Sequence, residues 1–366
     1  MLSRWGLALG GAVLVAGGIA LAVFTQTGPA NDDAARDAIQ TLLQQRHTAF
    51  VKHDLDGYMG TVDPGRVFLR TCEEQRFAAL AHMGFRPPPL ALGKTDTYLD
   101  YVRGWVDVGD GWERLFFRND GAHWYVSEPT SGELGDDRSR EVAGVTVKYR
   151  DAEGDLIEPV ARDLPSIIDS VLVDAPSPPT HLFTLRIATL TSTDGRCFVA
   201  GEAGGYGTTQ ITLRQIAVMN RYEQLSYETT ATVRHEALHW IQAEHSIRAL
   251  ERADWWLVEG WPYLLANKPT FDERRFMVCK GTPPTFSELR FGPGPVTPVE
   301  TTSRYYTIAS LLVERLYDKE SGAANYWKLF DAFDAPPDAT PYEDAIGMDG
   351  QHMYASWLES ALARYC

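Results

Sequence analysis

No run of clustered lysine or arginine occurs anywhere in the 366 residues. Proteins that grip nucleic-acid phosphates need such clusters. Here 34 Lys and Arg stand against 49 Asp and Glu, a net charge of −15, which counts against nucleic acid as a partner. An acidic surface serves solubility and selects no other partner. Cysteine is scarce: Cys72, Cys197, Cys279 and Cys366 are the four. None forms a C-x-x-C pair, which excludes a thiolate zinc site or a dithiol redox motif of that kind. Repeats and low-complexity tracts are also missing, so a repeat array is excluded.

Apolar sequence is what the chain has in length. "GLALGGAVLVAGGIALAVF", Gly6 to Phe24, runs 19 residues without a charge. As a helix rising about 1.5 Å per residue it would span about 28 Å, close to the roughly 30 Å hydrocarbon core of a bilayer. Arg4 before it and Asp32 and Asp33 after it predict a cytoplasmic N-terminus with the bulk of the chain outside. Ala20-Leu21-Ala22 offers the alternative of a cleaved signal peptide and a secreted protein. The run is long for a signal peptide, which favours an uncleaved single-pass anchor in the cell membrane over residues 1–33. In an extracytoplasmic setting the four cysteines suggest one or two disulfides, with three possible full pairings; four buried free thiols are the other reading.

The remainder, within an overall 44% apolar and 11% aromatic composition, has the make-up of a packed protein long enough for two domains. Ala34 to His53 predicts an amphipathic helix with Ile39, Leu42, Leu43 and Phe50 on one face. "RFAALAHMGF" predicts another, stopped by Pro87-Pro88-Pro89. From Tyr98 the pattern becomes strands, "YLDYVRGWVDV", "WERLFFR" and "HWYVSEP", separated by Gly- and Asn-containing turns, a meander. Helices followed by an antiparallel sheet predict a small α+β accessory domain over residues 34–138. The polar stretch Ser131 to Gly144 reads as the boundary, and a second domain follows over 142–366. There a strand "VTVKY", a helix from Ala161 to Val173, a loop "APSPP" and a strand "LFTLRIATL" precede "GGYGTTQITL", a Gly-rich turn running into a strand. Helices and a Pro/Gly-rich connection from Gly281 to Pro298 complete the chain, with a last predicted helix from about Arg304 to Tyr317.

The sequence is most informative at "TATVRHEALHWIQAEH", Thr230 to His245. On a helix His235 and His239, four apart, share a face and can reach one ion. Glu236 is offset from them by about 100°. It can touch a water on that ion without sharing the imidazoles' direction. Glu259, twenty residues after His239, can return on a second helix as a third ligand. Two neutral imidazoles, a carboxylate and a general base make up a hydrolytic zinc site that keeps one position open for water.

These residues resemble a known family. H-E-x-x-H followed by W-L-x-E-G, here "HEALHW" and "WWLVEGW" with "RYYTIASLLVERLYDKESG" downstream, is similar to the gluzincin zinc metallopeptidases of the thermolysin and aminopeptidase N-like superfamily. The bacterial membrane-associated members with a peptidase-MA-like domain are the most similar in character. The resemblance covers roughly Val142 to Cys366 and implies an α+β catalytic domain with a small mixed sheet and a helical subdomain. It implies His235, His239 and Glu259 as Zn2+ ligands and Glu236 as base and proton shuttle. Tyr306, or its neighbour Tyr305, would donate to the oxyanion. "TTQITL" would be the edge strand along which a peptide or protein substrate lies. The accessory domain resembles the nuclear transport factor 2-like cone in its element order.

Departures from the family pattern carry their own expectations. Pro262 stands where many relatives have alanine, which predicts a helix beginning near Val258–Glu259, so that the proline falls in its first turn. Tyr263 replaces a carboxylate that could support a ligand from behind. Gly204-Gly205-Tyr206-Gly207 replaces G-x-M-E-N, so aminopeptidase specificity is not implied. The rival expectation is a peptidase-like binding or regulatory protein of the cell envelope, its zinc structural or lost. Glu236 speaks against that, because a purely structural site has no use for a base.

Overall fold

Apolar side chains at helical spacing fold the first helix as expected. It spans Asp33–Val51 (α1) and buries Ile39, Leu42, Leu43 and Phe50. The computed structural model describes residues 33–82, 86–109, 111–173, 175–176, 182–188, 201–203, 210–214, 218–220, 224–294, 297, 299–317, 323–336 and 340–366. The apolar run Gly6 to Phe24, Cys197 and Gly204 to Gly207 lie outside them. No described helix is long and apolar enough to cross a membrane. The protein is mixed α+β and divides into two units, 1–129 and 130–366.

In the first unit a short helix, Leu55–Met59 (α2), and a longer one, Val67–His82 (α3), precede the strands Ala91–Tyr98 (β1), Tyr101–Asp107 (β2), Gly111–Asn119 (β3) and Trp124–Ser127 (β4). These pair antiparallel in chain order, with Val102 opposite Phe117 and Phe117 opposite Val126. Val102, Val106, Phe117 and Val126 meet Ile39, Leu42 and Leu43 of α1 in one core. "YLDYVRGWVDV" is therefore not one strand. It breaks at Leu99, whose φ of +50° closes a tight turn between Tyr98 and Tyr101. A leucine in that backbone region gives no turn signal.

The second unit opens with a hairpin of Asp137–Val142 (β5) and Val145–Arg150 (β6). Ala143 and Gly144 turn it at φ +49° and +82°, the pair of positive values that tight hairpins favour. The stretch expected to be a polar boundary thus holds a strand. All but one of the β5 residues face solvent, so no apolar alternation marks it, as befits a charged sheet edge. A helix over Ile157–Leu172 (α4) follows, then Thr184–Ala188 (β7), Gly201–Ala203 (β8) and Gln210–Arg214 (β9). The sheet order is β5-β6-β7-β9-β8, parallel from β6 through β9 and antiparallel at β9-β8. β9, which contains most of "TTQITL", is consequently internal; β8 holds that edge.

Helices fill the rest: Tyr227–His245 (α5), Ile247–Arg252 (α6), Trp255–Asn267 (α7), Phe271–Cys279 (α8), Phe286–Phe291 (α9), Val299–Leu316 (α10), Ala324–Ala332 (α11), Pro341–Ile346 (α12) and Gly350–Tyr365 (α13). α7 starts at Trp255, not near Glu259, so Pro262 lies in the helix interior. An interior proline costs about 3 kcal/mol, partly because the carbonyl four residues back loses its donor. That carbonyl belongs to Val258, and the Gln242 side chain of α5 donates to it at 2.9 Å. The adjacent Gly260 lets α7 and α10 close on each other, since a Cβ there would lie 2.6 Å from the Ala309 carbonyl oxygen. Trp256 and Trp261 of α7 are fully buried, and Trp261 stacks on Tyr326 of α11. Cys279 and Cys366 are disulfide-bonded, and no described cysteine is free.

Candidate metal centre

Ser226 caps α5 by accepting from the Thr229 amide, and the helix then runs without interruption to His245. Its apolar side, with Val233, Ala237, Leu238, Trp240 and Ile241, is buried. His235 and His239 consequently emerge together along the other side, their ring centroids 4.8 Å apart. Glu259 comes to them from α7, whose first turn is held by the buried Asp254; its carboxylate accepts from the Tyr342 hydroxyl and, at 3.0 Å, from Arg290 Nε.

Three atoms converge. His235 Nε2 lies 3.1 Å from His239 Nε2, and Glu259 Oε2 lies 3.2 Å from the first and 3.3 Å from the second. Ligands about 2.0–2.1 Å from a tetrahedral zinc are roughly 3.3–3.4 Å from one another, so this donor set and its spacing fit zinc. Among the described residues, these three form the group of His, Cys, Asp and Glu side chains able to share an ion. Without an ion the three groups form a charged, hydrogen-bonded cluster whose proton a metal would displace. Burial works against ionisation of Glu259, but His239 and His235 outweigh it and hold the carboxyl well below its usual range. Burial likewise opposes charge on His239, and Glu259 overrides it, raising the imidazole to about 9 without an ion.

Glu236, one residue along the helix from His235, is 9% exposed. Its charge raises both His239 and Tyr306, so it acts on the same space as the triad. Tyr306 is carried there by α10, three residues before Ala309, at the crossing that Gly260 permits. Its ring lies 6.2 Å from His235, 5.0 Å from Trp255 and 5.3 Å from Tyr263. Burial first, then the charges of Glu259 and Glu236, push the pKa of its hydroxyl far up, so it is a neutral donor at every physiological pH. Tyr305 points elsewhere: it is more exposed and packs against the edge of Trp255. Of the adjacent tyrosines, Tyr306 is the one beside the triad.

Tyr263, where the family pattern often has a supporting carboxylate, packs its ring against Tyr306 instead. The support comes from Gln242, fully buried, whose Oε1 lies 2.7 Å from His239 Nδ1. A signal for it was available: Gln242 follows His239 by three residues and His235 by seven, on the same helix face. Trp255 forms a wall of the site, and His245, at the helix end, pairs with Asp331 at 2.6 Å. Neither a comparison of the chain with protein-family models nor one with curated proteins returns a match.

Proposed function

We propose that the chain is a zinc-dependent metallopeptidase of gluzincin type, anchored in the cell membrane by its N-terminal apolar run and working outside the cytoplasm. The carrying observation is the convergence of two imidazole Nε2 atoms and one carboxylate oxygen within 3.1–3.3 Å, with a buried glutamate and a neutral tyrosine hydroxyl beside them. His235, His239 and Glu259 would hold the ion. When bound, zinc supplies Lewis acidity toward a water and toward the scissile carbonyl.

The chain's own residues do the rest. Glu236 takes a proton from the attacking water and delivers it to the departing amine, the task of a buried general base in reach of both. Tyr306 donates its hydroxyl to the oxygen that gains charge as the carbonyl carbon becomes tetrahedral, worth about 3–4 kcal/mol in a water-poor site. β8, at the end of the second sheet among the described residues, offers backbone groups against which an extended peptide can pair. The first unit, α helices followed by a meander, fits a cone of nuclear transport factor 2 type and serves as spacer or accessory module.

Cleavage of a mixed peptide library by the full chain, with and without Glu236→Gln, is the test. The substitution is expected to lower kcat by about 10²–10⁴-fold while zinc stays bound. A zinc-loaded wild type that cuts nothing would refute the peptidase reading. It would favour a binding or regulatory protein built on a peptidase-like frame.

A further inference from the structure

We propose that Gln242 is a positioning residue that ties the two ligand-bearing helices together: its amide orients His239 for the metal with one end and fills the hydrogen-bonding gap left by Pro262 with the other. The inference rests on the metal-site reading in its first half only; the second concerns the fold of the chain with or without an ion.

The amide can sit only one way round. Val258 O is a carbonyl, so the atom 2.9 Å from it must be the donor nitrogen of Gln242. The same nitrogen lies 2.7 Å from the Tyr326 hydroxyl oxygen, which occupies its second proton. Oε1 therefore faces His239 Nδ1, and at 2.7 Å that nitrogen must carry a proton and donate it. Nε2, the atom that converges with His235 and Glu259, is then the nitrogen left to give up its proton to a metal. An imidazole held this way is both fixed in orientation and more basic toward a metal.

The other end explains why an interior proline is tolerated so near a ligand. Val258 immediately precedes Glu259, and its carbonyl would point at a missing N–H on residue 262. With Gln242 bonded there, the helices of His239 and Glu259 are linked through one side chain hydrogen-bonded at both ends, in addition to their packing. Tyr326, stacked on Trp261, holds the amide from behind. The cost of losing Gln242 must then depend on what occupies position 262. In a Pro262→Ala background, the new backbone N–H can serve Val258 O itself.

The experiment is a cycle of Gln242→Met and Pro262→Ala in the full chain, read by thermal unfolding of metal-free protein and by competition binding of zinc, with Gln242→Glu as a third substitution. Gln242→Met is expected to lower Tm by roughly 2–4 °C with proline at 262 and by clearly less with alanine there. It is expected to weaken zinc about 10–100-fold in both backgrounds, because His239 loses its acceptor in each. Gln242→Glu keeps an acceptor for Nδ1–H and should hold zinc at least as tightly as wild type while losing the Tm contribution. Equal Tm losses in the two backgrounds, or unchanged zinc affinity in folded Gln242→Met, would overturn the proposal. If the wild type bound no zinc, the metal-site reading would fail on its own, and the metal-free cycle would still decide whether Gln242 and Pro262 are coupled.

Discussion

A carboxylic acid crowded by protein and by another carboxylate keeps its proton, and Glu128 of the first unit, half-buried, is such a group. Burial first, then the charge of Glu73, raise it to about 8, against the opposing pull of Arg114 and Arg66. The sign follows from linkage. Below the ordinary value of 4.5, folded and unfolded states are both protonated and the group is silent. Between 4.5 and about 8 the unfolded chain ionises while the folded one does not, so stability falls as pH rises. The slope from this one group is at most about 1.4 kcal/mol per pH unit. Glu128→Gln is expected to flatten the decline of Tm between pH 5 and pH 8; parallel curves for the two proteins would show that Glu128 ionises freely. At this same scale the site was partly legible. His235, Glu236 and His239 declare themselves because their spacing is local. Gln242 shares that local spacing with His239, but its bridging role was not legible, since its other partners Val258 and Tyr326 lie 16 and 84 residues away and only the folded helices bring them to it.

Elements were legible where burial wrote a period into the sequence, as in α1, and illegible where it did not. β5 is polar along nearly its whole length, and the β1–β2 turn sits on a leucine. β9 reads as a strand in isolation, but whether it is an edge depends on β8 pairing back onto it. Pro262 predicts too late a start for α7 because the side chain that compensates for it, Gln242, comes from another helix. The α7–α10 crossing gives the element-scale prediction. Gly260 follows Glu259, and Ala309 lies one turn beyond Tyr306, so a Cβ at 260 would push apart the helices bearing a ligand and the proposed oxyanion donor. It would meet the Ala309 carbonyl at 2.6 Å and Val313 Cγ2 at 2.9 Å, and backbone cannot rotate away as a side chain can. Gly260→Ala is expected to cost about 1–3 kcal/mol in denaturant unfolding despite alanine's better helix propensity, and to weaken zinc binding as well. A neutral or stabilising effect would mean that the helices do not approach this closely.

For the whole molecule, the largest covalent constraint among the described residues is the bond between Cys279, the last residue of α8, and Cys366, the chain terminus. It closes a loop spanning 87 residues, which contains α9 through α13 and with them the helix carrying Tyr306. Without it the terminal helix α13 would be held by apolar contacts such as Phe271 against Tyr365 and by the bond from the Tyr354 hydroxyl to Pro284 O. Cross-linking a loop of this length removes denatured-state freedom worth about 4–5 kcal/mol in the chain-entropy account, of which about 2–5 is usually realised. The sequence left three full pairings open, because cysteine spacing does not reveal which helices will lie side by side. Replacing Cys279 and Cys366 together by serine is expected to lower unfolding free energy by about 2–5 kcal/mol, measured in denaturant with the remaining cysteines untouched. The released segment includes α10, so zinc affinity should change little, its ligands lying on α5 and α7, while turnover falls with the placement of Tyr306. Loss of zinc and turnover together, in protein that remains folded, would mean that the disulfide orders the ligand helices themselves and not only the segment it encloses.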